Sequence, residues 1–309
     1  MEPNGILPLW KEPGMTSHDC VFRLRKILKT KKVGHTGTLD PQVDGVLPIC
    51  LGRSTKVAEY ITDQGKTYEA QVSIGFSTET EDAEGAIVEQ DSSDKEITRK
   101  QLETVLASLT GDIEQIPPMY SAVKVNGKKL YEYARKGEQV ERPVRTVHID
   151  SIELLDEATA WRGQNIQFRI RIRCGKGTYI RTLAVQIGEA LGYPAHMSQL
   201  TRTQSGSFTK EQCVTLAEVE EIAQNGDIDS ILQPLSYGLS IFPFEEIAAD
   251  LLFGIKNGQV LEAHPILKSE PFVVFTYHGK PAALYKRHPE KAGKMKPEKM
   301  FGFPPTDEV

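Results

Sequence analysis

Residues 166–174 alternate without interruption: Ile166, Phe168, Ile170 and Ile172 fall on one side, and Gln167, Arg169, Arg171 and Arg173 on the other. Successive side chains of a strand point to opposite faces, so this pattern specifies a strand buried on one face with a cationic outer face. Gly175-Lys176-Gly177-Thr178 then breaks it. Ile180, Leu183, Ala184, Ile187 and Leu191 follow at helical spacing until Gly192 ends the run. Residues 66–77 carry the same two-residue period, with Tyr68, Ala70, Val72, Ile74 and Phe76 opposite Glu69, Gln71, Ser73 and Gly75. Residues 144–155 read as another strand, and residues 99–109 and 215–223 as amphipathic helices. Strands and helices that interleave irregularly in this way predict a mixed α+β sheet.

At 309 residues and 39% apolar content the chain can build a large domain and a small one, each with its own core. Turn-forming residues 234–243 read as the linker. Beyond it lies a small all-β stretch, with strands over 273–277 and 282–285 around a His278-Gly279-Lys280 turn. It closes in a basic run, 286–299, that holds six bases and two acids.

Composition narrows the chemistry. No segment approaches the roughly 18 to 20 apolar residues needed to span a bilayer, and residues 1–11 lack the basic start and apolar run of a leader, so a soluble cytoplasmic protein is expected. Cys20, Cys50, Cys174 and Cys213 form no Cys-x-x-Cys pair and read as reduced thiols, mostly in the core. No two histidines stand four apart, and no metal centre is expected.

A net charge of −5 argues against a polyanion partner, but binding of phosphate depends on how charge is distributed. Residues 20–39 carry six bases (Arg23, Arg25, Lys26, Lys29, Lys31, Lys32) and no acid, and residues 166–181 carry five and no acid. Residues 79–103 hold nine acids against three bases and read as a solvated acidic loop and helix facing away from any RNA. Over residues 117–142, Lys124, Lys128, Lys129, Arg135 and Lys136 are interleaved with Tyr120, Tyr131 and Tyr133. That mixture suits a surface loop and short helix that touch phosphates with cations and bases with rings. An amphipathic helix with tyrosines packed beneath it reads equally well.

The segment Gly34-His35-Thr36-Gly37-Thr38-Leu39-Asp40-Pro41 is a loop by composition, and Pro41 biases Asp40 away from the helical region. Alone, Asp40 reads as a turn initiator. Together with the following Gly45-Val46-Leu47-Pro48-Ile49-Cys50-Leu51-Gly52, however, the segment resembles the catalytic stretch of bacterial tRNA pseudouridine-55 synthases, the TruB family. Further matching pieces occur in the family's order: Lys11 with Gly14-Met15-Thr16-Ser17, Lys66-Thr67-Tyr68, Tyr120-Ser121-Ala122 with residues 127–135, and Gly177-Thr178-Tyr179-Ile180-Arg181. They span most of residues 5–205. At Lys11 the chain departs from the pattern, since family members often carry proline next and Glu12 stands here. Residues 244–309 resemble the small β-rich RNA-binding domain called PUA, through Lys256-Asn257-Gly258-Gln259 and the hairpin after it.

The resemblance implies a mainly antiparallel sheet with flanking helices, the pseudouridine synthase fold, over residues 1–238, with 117–142 as an RNA-contacting insertion and 244–309 as the PUA-like domain. It implies conversion of uridine 55 in the tRNA T loop to pseudouridine, without cofactor or metal, by a monomer that contacts the T loop and acceptor arm. Asp40 would be the nucleophile or base, paired with Arg181, and Tyr68 would stack on uracil or assist proton removal from C5. Tyr179 and Leu200 would contact the target nucleotide, and His35 would stack among the loop bases in place of the extruded uridine. Lys11, Lys31, Lys32, Lys56, Lys124, Lys128 and Lys129 would grip the RNA. Three other readings remain open at this point: a guide-RNA-dependent relative, a non-catalytic RNA-binding or tRNA-folding protein, and an N-glycosidase.

Overall fold

The computed structural model describes residues 2–303. Its largest element is a nine-stranded sheet whose path runs through Gly5–Lys11, Asp44–Leu51, Ala195–Ser205, Lys66–Ile74, Ile166–Cys174, Arg145–Leu154 and Gly111–Gln115. Phe208–Thr209 and Val33–His35 add short strands at its side. The alternation of residues 166–174 is realised without a register shift: Ile166 pairs with Ile74 and Cys174 with Lys66 across an antiparallel ladder. Ile166, Phe168, Ile170 and Ile172 are buried, whereas Arg169 and Arg173 are exposed.

Pairing in this sheet is antiparallel except where Ala195–Ser205 meets Asp44–Leu51, with Thr201 beside Asp44 and Arg202 beside Gly45. The close approach requires glycine: at φ +130°, a Cβ on Gly45 would lie 2.3 Å from the Arg202 carbonyl oxygen. This junction brings the loop before Asp44 against the Lys66–Ile74 strand, since Arg202 also pairs with Tyr68.

Helices Ser17–Ile27, Arg99–Ser108 and Leu216–Gln224 begin with capping boxes, Thr16 with Asp19, Thr98 with Gln101 and Thr215 with Glu218. Each box satisfies two backbone N–H groups that a helix start leaves free. Helix Ile180–Leu191 buries Ile180, Leu183, Ala184 and Ile187, and Gly192 closes it in the left-handed region at φ +84°.

Three segments differ from the sequence expectation. The strand from Lys66 stops at Ile74, and Phe76–Thr78 turns away to pair with Ile87–Gln90. The acidic stretch therefore contains strands, Ile87–Gln90 and Lys95–Thr98, where a loop was expected. Ile87–Gln90 is exposed throughout, and Lys95–Thr98 turns Lys95 and Ile97 inward, so a charged residue occupies one of its two buried positions and no apolar alternation marks either strand. The third is 234–243, which is folded as well as connecting: Leu239 is fully buried, Phe242 packs edge-on to Tyr60, and Ile6 exchanges backbone hydrogen bonds with neighbouring Gln233.

The C-terminal sheet has five strands in the order Phe244–Glu246, Phe272–Tyr277, Lys280–Arg287, Lys294–Met300 and Leu261–Glu262. One face buries Val273, Phe275, Ala283 and Tyr285 in a core of its own, with Ile255 and Leu267. The other sends Val274 and Leu284 into a cluster with Val57, Tyr60 and Ile61 of the large body.

Candidate active site

Asp40 sits in the loop between Val33–His35 and Asp44–Leu51, and that loop is fastened from several sides. The Ser17 hydroxyl accepts from Leu39 N at 2.9 Å and donates to Leu39 O at 3.3 Å. Thr36 Oγ1 donates to Pro48 O at 3.1 Å. Lys11 is fully buried, and its ammonium donates to the carbonyls of Glu12, Pro41 and Val43 at 3.0, 3.0 and 2.6 Å. Arg202, 1% exposed, donates from Nε to Val46 O at 2.8 Å and from a terminal nitrogen to Gly37 O at 3.3 Å. Buried cations bonded to several carbonyls fix backbone because each carbonyl left unpaired would cost about 1–3 kcal/mol.

The carboxylate so positioned meets Arg181, in the first turn of Ile180–Leu191. Arg181 Nε lies 3.1 Å from Asp40 Oδ2, and its side chain is only 6% exposed against 40% for Asp40. The rest of the guanidinium is occupied as well: it donates to Thr80 O and Tyr120 O, both at 2.9 Å, and lies 3.6 Å from Asp82 Oδ2. Burial raises the Asp40 pKa above the ordinary carboxylate value, Arg181 opposes that rise, Asp82 adds to it and Lys11 opposes it. The arrangement is a partly desolvated anion held by a nearly immobile cation.

Two clefts meet at this pair. The first, about 280 Å³, is lined by Asp40, Tyr68, Tyr179, Arg181, Leu200 and Arg202, with Lys66 and Lys176 among its other residues. The second, about 450 Å³, shares Asp40, Arg181 and Leu200 and adds Asp82, Tyr120, Tyr131 and Arg135. Tyr68, 8% exposed, has its phenol pKa raised by burial and lowered in part by Arg202. Tyr179 is held at its backbone by Gln115, whose side-chain oxygen accepts from Tyr179 N at 2.9 Å.

Asp40, Arg181, Tyr68, Tyr179 and Leu200 thus come together. The other residues singled out in the sequence lie elsewhere. His35 lines neither cleft; it is half-buried, its Nδ1 accepts from Gly37 N at 3.3 Å, and burial, Arg202 and His18 lower its pKa. Lys11 faces inward, so its ammonium is bonded to the Asp40 loop and is closed to a phosphate. Lys31 and Lys32 are exposed, with Lys32 3.4 Å from Glu2. Lys56 donates to Met300 O at 2.6 Å, at the junction with the C-terminal sheet. Lys124, Lys128 and Lys129 lie on a small hairpin, with Lys128 over the ring of Tyr133 and Lys129 over that of Tyr131.

The acidic stretch does not face wholly away from the site, since Asp82 reaches Arg181 and Glu84 lines the second cleft. Thr78 and Asp82 are drawn inward by the bend after Ile74, which no charge count reveals. Arg202 is a cleft residue without a sequence signal, and Lys66 carries one only as part of the Lys66-Thr67-Tyr68 match, with no role of its own. Lys66 Nζ donates to Thr62 O and Gln64 O at 2.8 and 2.9 Å, and burial lowers its pKa to about 8. Among the described residues no group of three or more His, Cys, Asp or Glu side chains is placed to hold a metal ion.

Comparison with known proteins gives this geometry its class. The structure resembles the crystal structure of a Cbf5–Nop10–Gar1 complex with a TM-score of 0.72 at 29% identity, covering 96% of this chain and 84% of that one. A second neighbour, an H/ACA ribonucleoprotein bound to a substrate RNA containing 2′-deoxyuridine, gives 0.70 at 26% identity, with 96% and 84% covered. The fold is that of a pseudouridine synthase, an isomerase.

Residues 25–180 match the N-terminal domain model of the TruB family pseudouridylate synthases, and residues 181–240 the tRNA pseudouridylate synthase B C-terminal domain. A tRNA pseudouridine synthase B of Bacillus cereus (strain ATCC 10987 / NRS 248) is 54% identical over 96% of this chain and 97% of its own length. One of Listeria innocua is 56% identical over 96% and 98%. The chain belongs to the TruB family of pseudouridylate synthases.

Proposed function

We propose that this protein converts uridine 55 in the T loop of tRNA to pseudouridine, acting as a cytoplasmic monomer on the T loop and acceptor arm. The observation that carries the reading is the Asp40–Arg181 pair, 3.1 Å apart at the meeting of two clefts. The full-length similarity to enzymes named tRNA pseudouridine synthase B supports the substrate.

The reaction breaks the C1′–N1 bond, turns the uracil and forms a C1′–C5 bond; the C5 proton is lost and N1 gains one. No electrons or groups leave overall, so neither a redox cofactor nor a carrier is required. A stacked uridine cannot reach a carboxylate inside a cleft, so it is flipped out at a cost of roughly a few kcal/mol. Asp40 then acts as the anion that attacks the ribosyl or uracil ring and is released again, while Arg181 holds it ionised and aimed. Tyr68, at the cleft wall, stacks on the base or assists removal of the C5 proton through its phenol oxygen. Tyr179 and Leu200 pack around the nucleotide, and His35 fills the gap left in the T loop. Lys31, Lys32, Lys56 and the 117–142 insertion meet the backbone, with residues 1–238 as the catalytic domain and 244–309 as a PUA-like RNA-binding domain.

The test is incubation of purified protein with an unmodified tRNA transcript, followed by mapping of pseudouridine. Conversion at position 55 without added RNA supports the proposal. Dependence on an added guide RNA, or release of free uracil, would replace it.

A further inference from the structure

A third concavity, about 540 Å³, lies on the C-terminal sheet, between the short turn Pro265–Lys268 and the connection from Lys280–Arg287 to Lys294–Met300. Six of its lining side chains are basic: His264, Lys268, Arg287, His288, Lys291 and Lys294. No carboxylate lines it. Lys294 is paired with Glu262, but among the described residues Lys268, Arg287 and Lys291 have no acidic partner.

The hydrogen bonding makes the site one of donors. Both histidines use Nδ1 as acceptor, His264 from Ile266 N at 3.4 Å and His288 from Glu290 N and Lys291 N at 3.1 Å. In the neutral imidazole the proton therefore sits on Nε2, and each ring offers a donor. The wall's carbonyls are already taken: Arg287 donates to those of Leu267 and Lys268, Ala263 N to Gly293, His288 N to Lys294, and Lys294 N to Lys291. A concave site with several cations, donor imidazoles and engaged acceptors selects an anion with many acceptor oxygens.

We infer that this pocket is a phosphate-binding site and that an RNA backbone supplies the phosphate, a reading that rests on the proposed tRNA substrate. Leu267 and Phe275 place the pocket on the sheet face that buries its own core, while Val274 and Leu284 of the opposite face pack on the catalytic body. It is thus a second, remote contact, one that RNA beyond the target hairpin reaches. Because the C-terminal sheet is packed on the large body, a phosphate held here also fixes the orientation of the bound RNA relative to Asp40.

The double variant Lys268→Glu/Lys291→Glu changes two exposed side chains that make no hydrogen bond to the fold. Three measurements on the full chain test the inference: binding of whole tRNA across a salt series, kcat/KM on an isolated T-arm hairpin, and shifts of the His264 and His288 imidazole resonances on adding inorganic phosphate. The expected result is tRNA binding weakened by about 10-fold or more, with a salt slope shallower by about 2, since each phosphate contact contributes about 0.9. Hairpin turnover stays unchanged, and phosphate shifts both imidazoles in the wild type alone. Phosphate shifts with unaltered tRNA binding would assign the pocket to free phosphate and overturn the RNA reading. Unaltered tRNA binding without such shifts would overturn the site altogether, and an equal loss on hairpin and tRNA would contradict its remoteness. If the wild type fails to convert the hairpin, the enzymatic proposal fails, while tRNA binding and the imidazole shifts still decide the pocket.

Discussion

Arg181 places its Nε 3.1 Å from Asp40 Oδ2 while its remaining nitrogens are held by Thr80, Tyr120 and Asp82. The cation is thus locked by the protein, and of the two side chains the carboxylate is the more exposed to the clefts, 40% against 6%. Removing the guanidinium in Arg181→Met leaves only Lys11 to oppose burial and Asp82, so the Asp40 pKa rises further. The acid limb of kcat/KM should move to higher pH, and the rate at neutral pH should fall by about 100-fold or more, because Asp40 loses the partner that keeps it ionised and aimed. A pH profile of the variant checks both.

Asp82 acts on Asp40 in the opposite sense, raising its pKa through like charge. Asp82→Asn should therefore move the acid limb to lower pH, even as looser support for Arg181 lowers the plateau. A limb shifted in the same direction as in Arg181→Met would show that Asp82 works only by positioning the arginine.

Lys66 gives a second pH signature. Its pKa is lowered from 10.5 to about 8 by burial, so the unfolded chain keeps a proton that the folded protein loses above pH 8. Stability must then rise with pH across that window, by at most about 1.4 kcal/mol per pH unit from this group. This contribution disappears as pH falls through 8. Denaturant unfolding of wild type and Lys66→Met between pH 7 and 10 measures it, and RNA affinity should decline over the same range as the cleft loses a charge.

Lys11 offers a contrast between building a loop and holding RNA. In Lys11→Met the carbonyls of Glu12 and Val43 lose the ammonium bonded to them, at a cost of about 2 kcal/mol. Turnover should fall because Asp40 is less well aimed, yet the salt dependence of RNA binding should not change. A shallower salt slope would instead place Lys11 at a phosphate.

Much of this was legible because the main sheet is made of half-buried strands. Ile166–Cys174 and Lys66–Ile74 show their faces in a period of two, and Ile180–Leu191 shows its face in a period near 3.6. The motif around Asp40 and the residues Tyr68 and Arg181 could be linked only through the family resemblance, since they are far apart in sequence. What stayed hidden depends on tertiary approach. Arg202 reaches the Asp40 loop through a parallel junction set by Gly45, and Asp82 arrives through a bend after Ile74. Lys11 reads as a surface cation until its burial is seen. The exposed strand Ile87–Gln90 and the short Lys95–Thr98, which buries a lysine beside Ile97, carry no apolar period, and the 234–243 segment has the composition of a linker while burying Leu239.

The most direct test of the account is single-turnover conversion of unmodified tRNA by Asp40→Asn. Removing only the charge of the carboxylate should leave RNA binding near the wild-type level and yield no detectable pseudouridine at position 55. Conversion by Asp40→Asn at the wild-type rate would contradict the role given to Asp40 and the mechanism built on it.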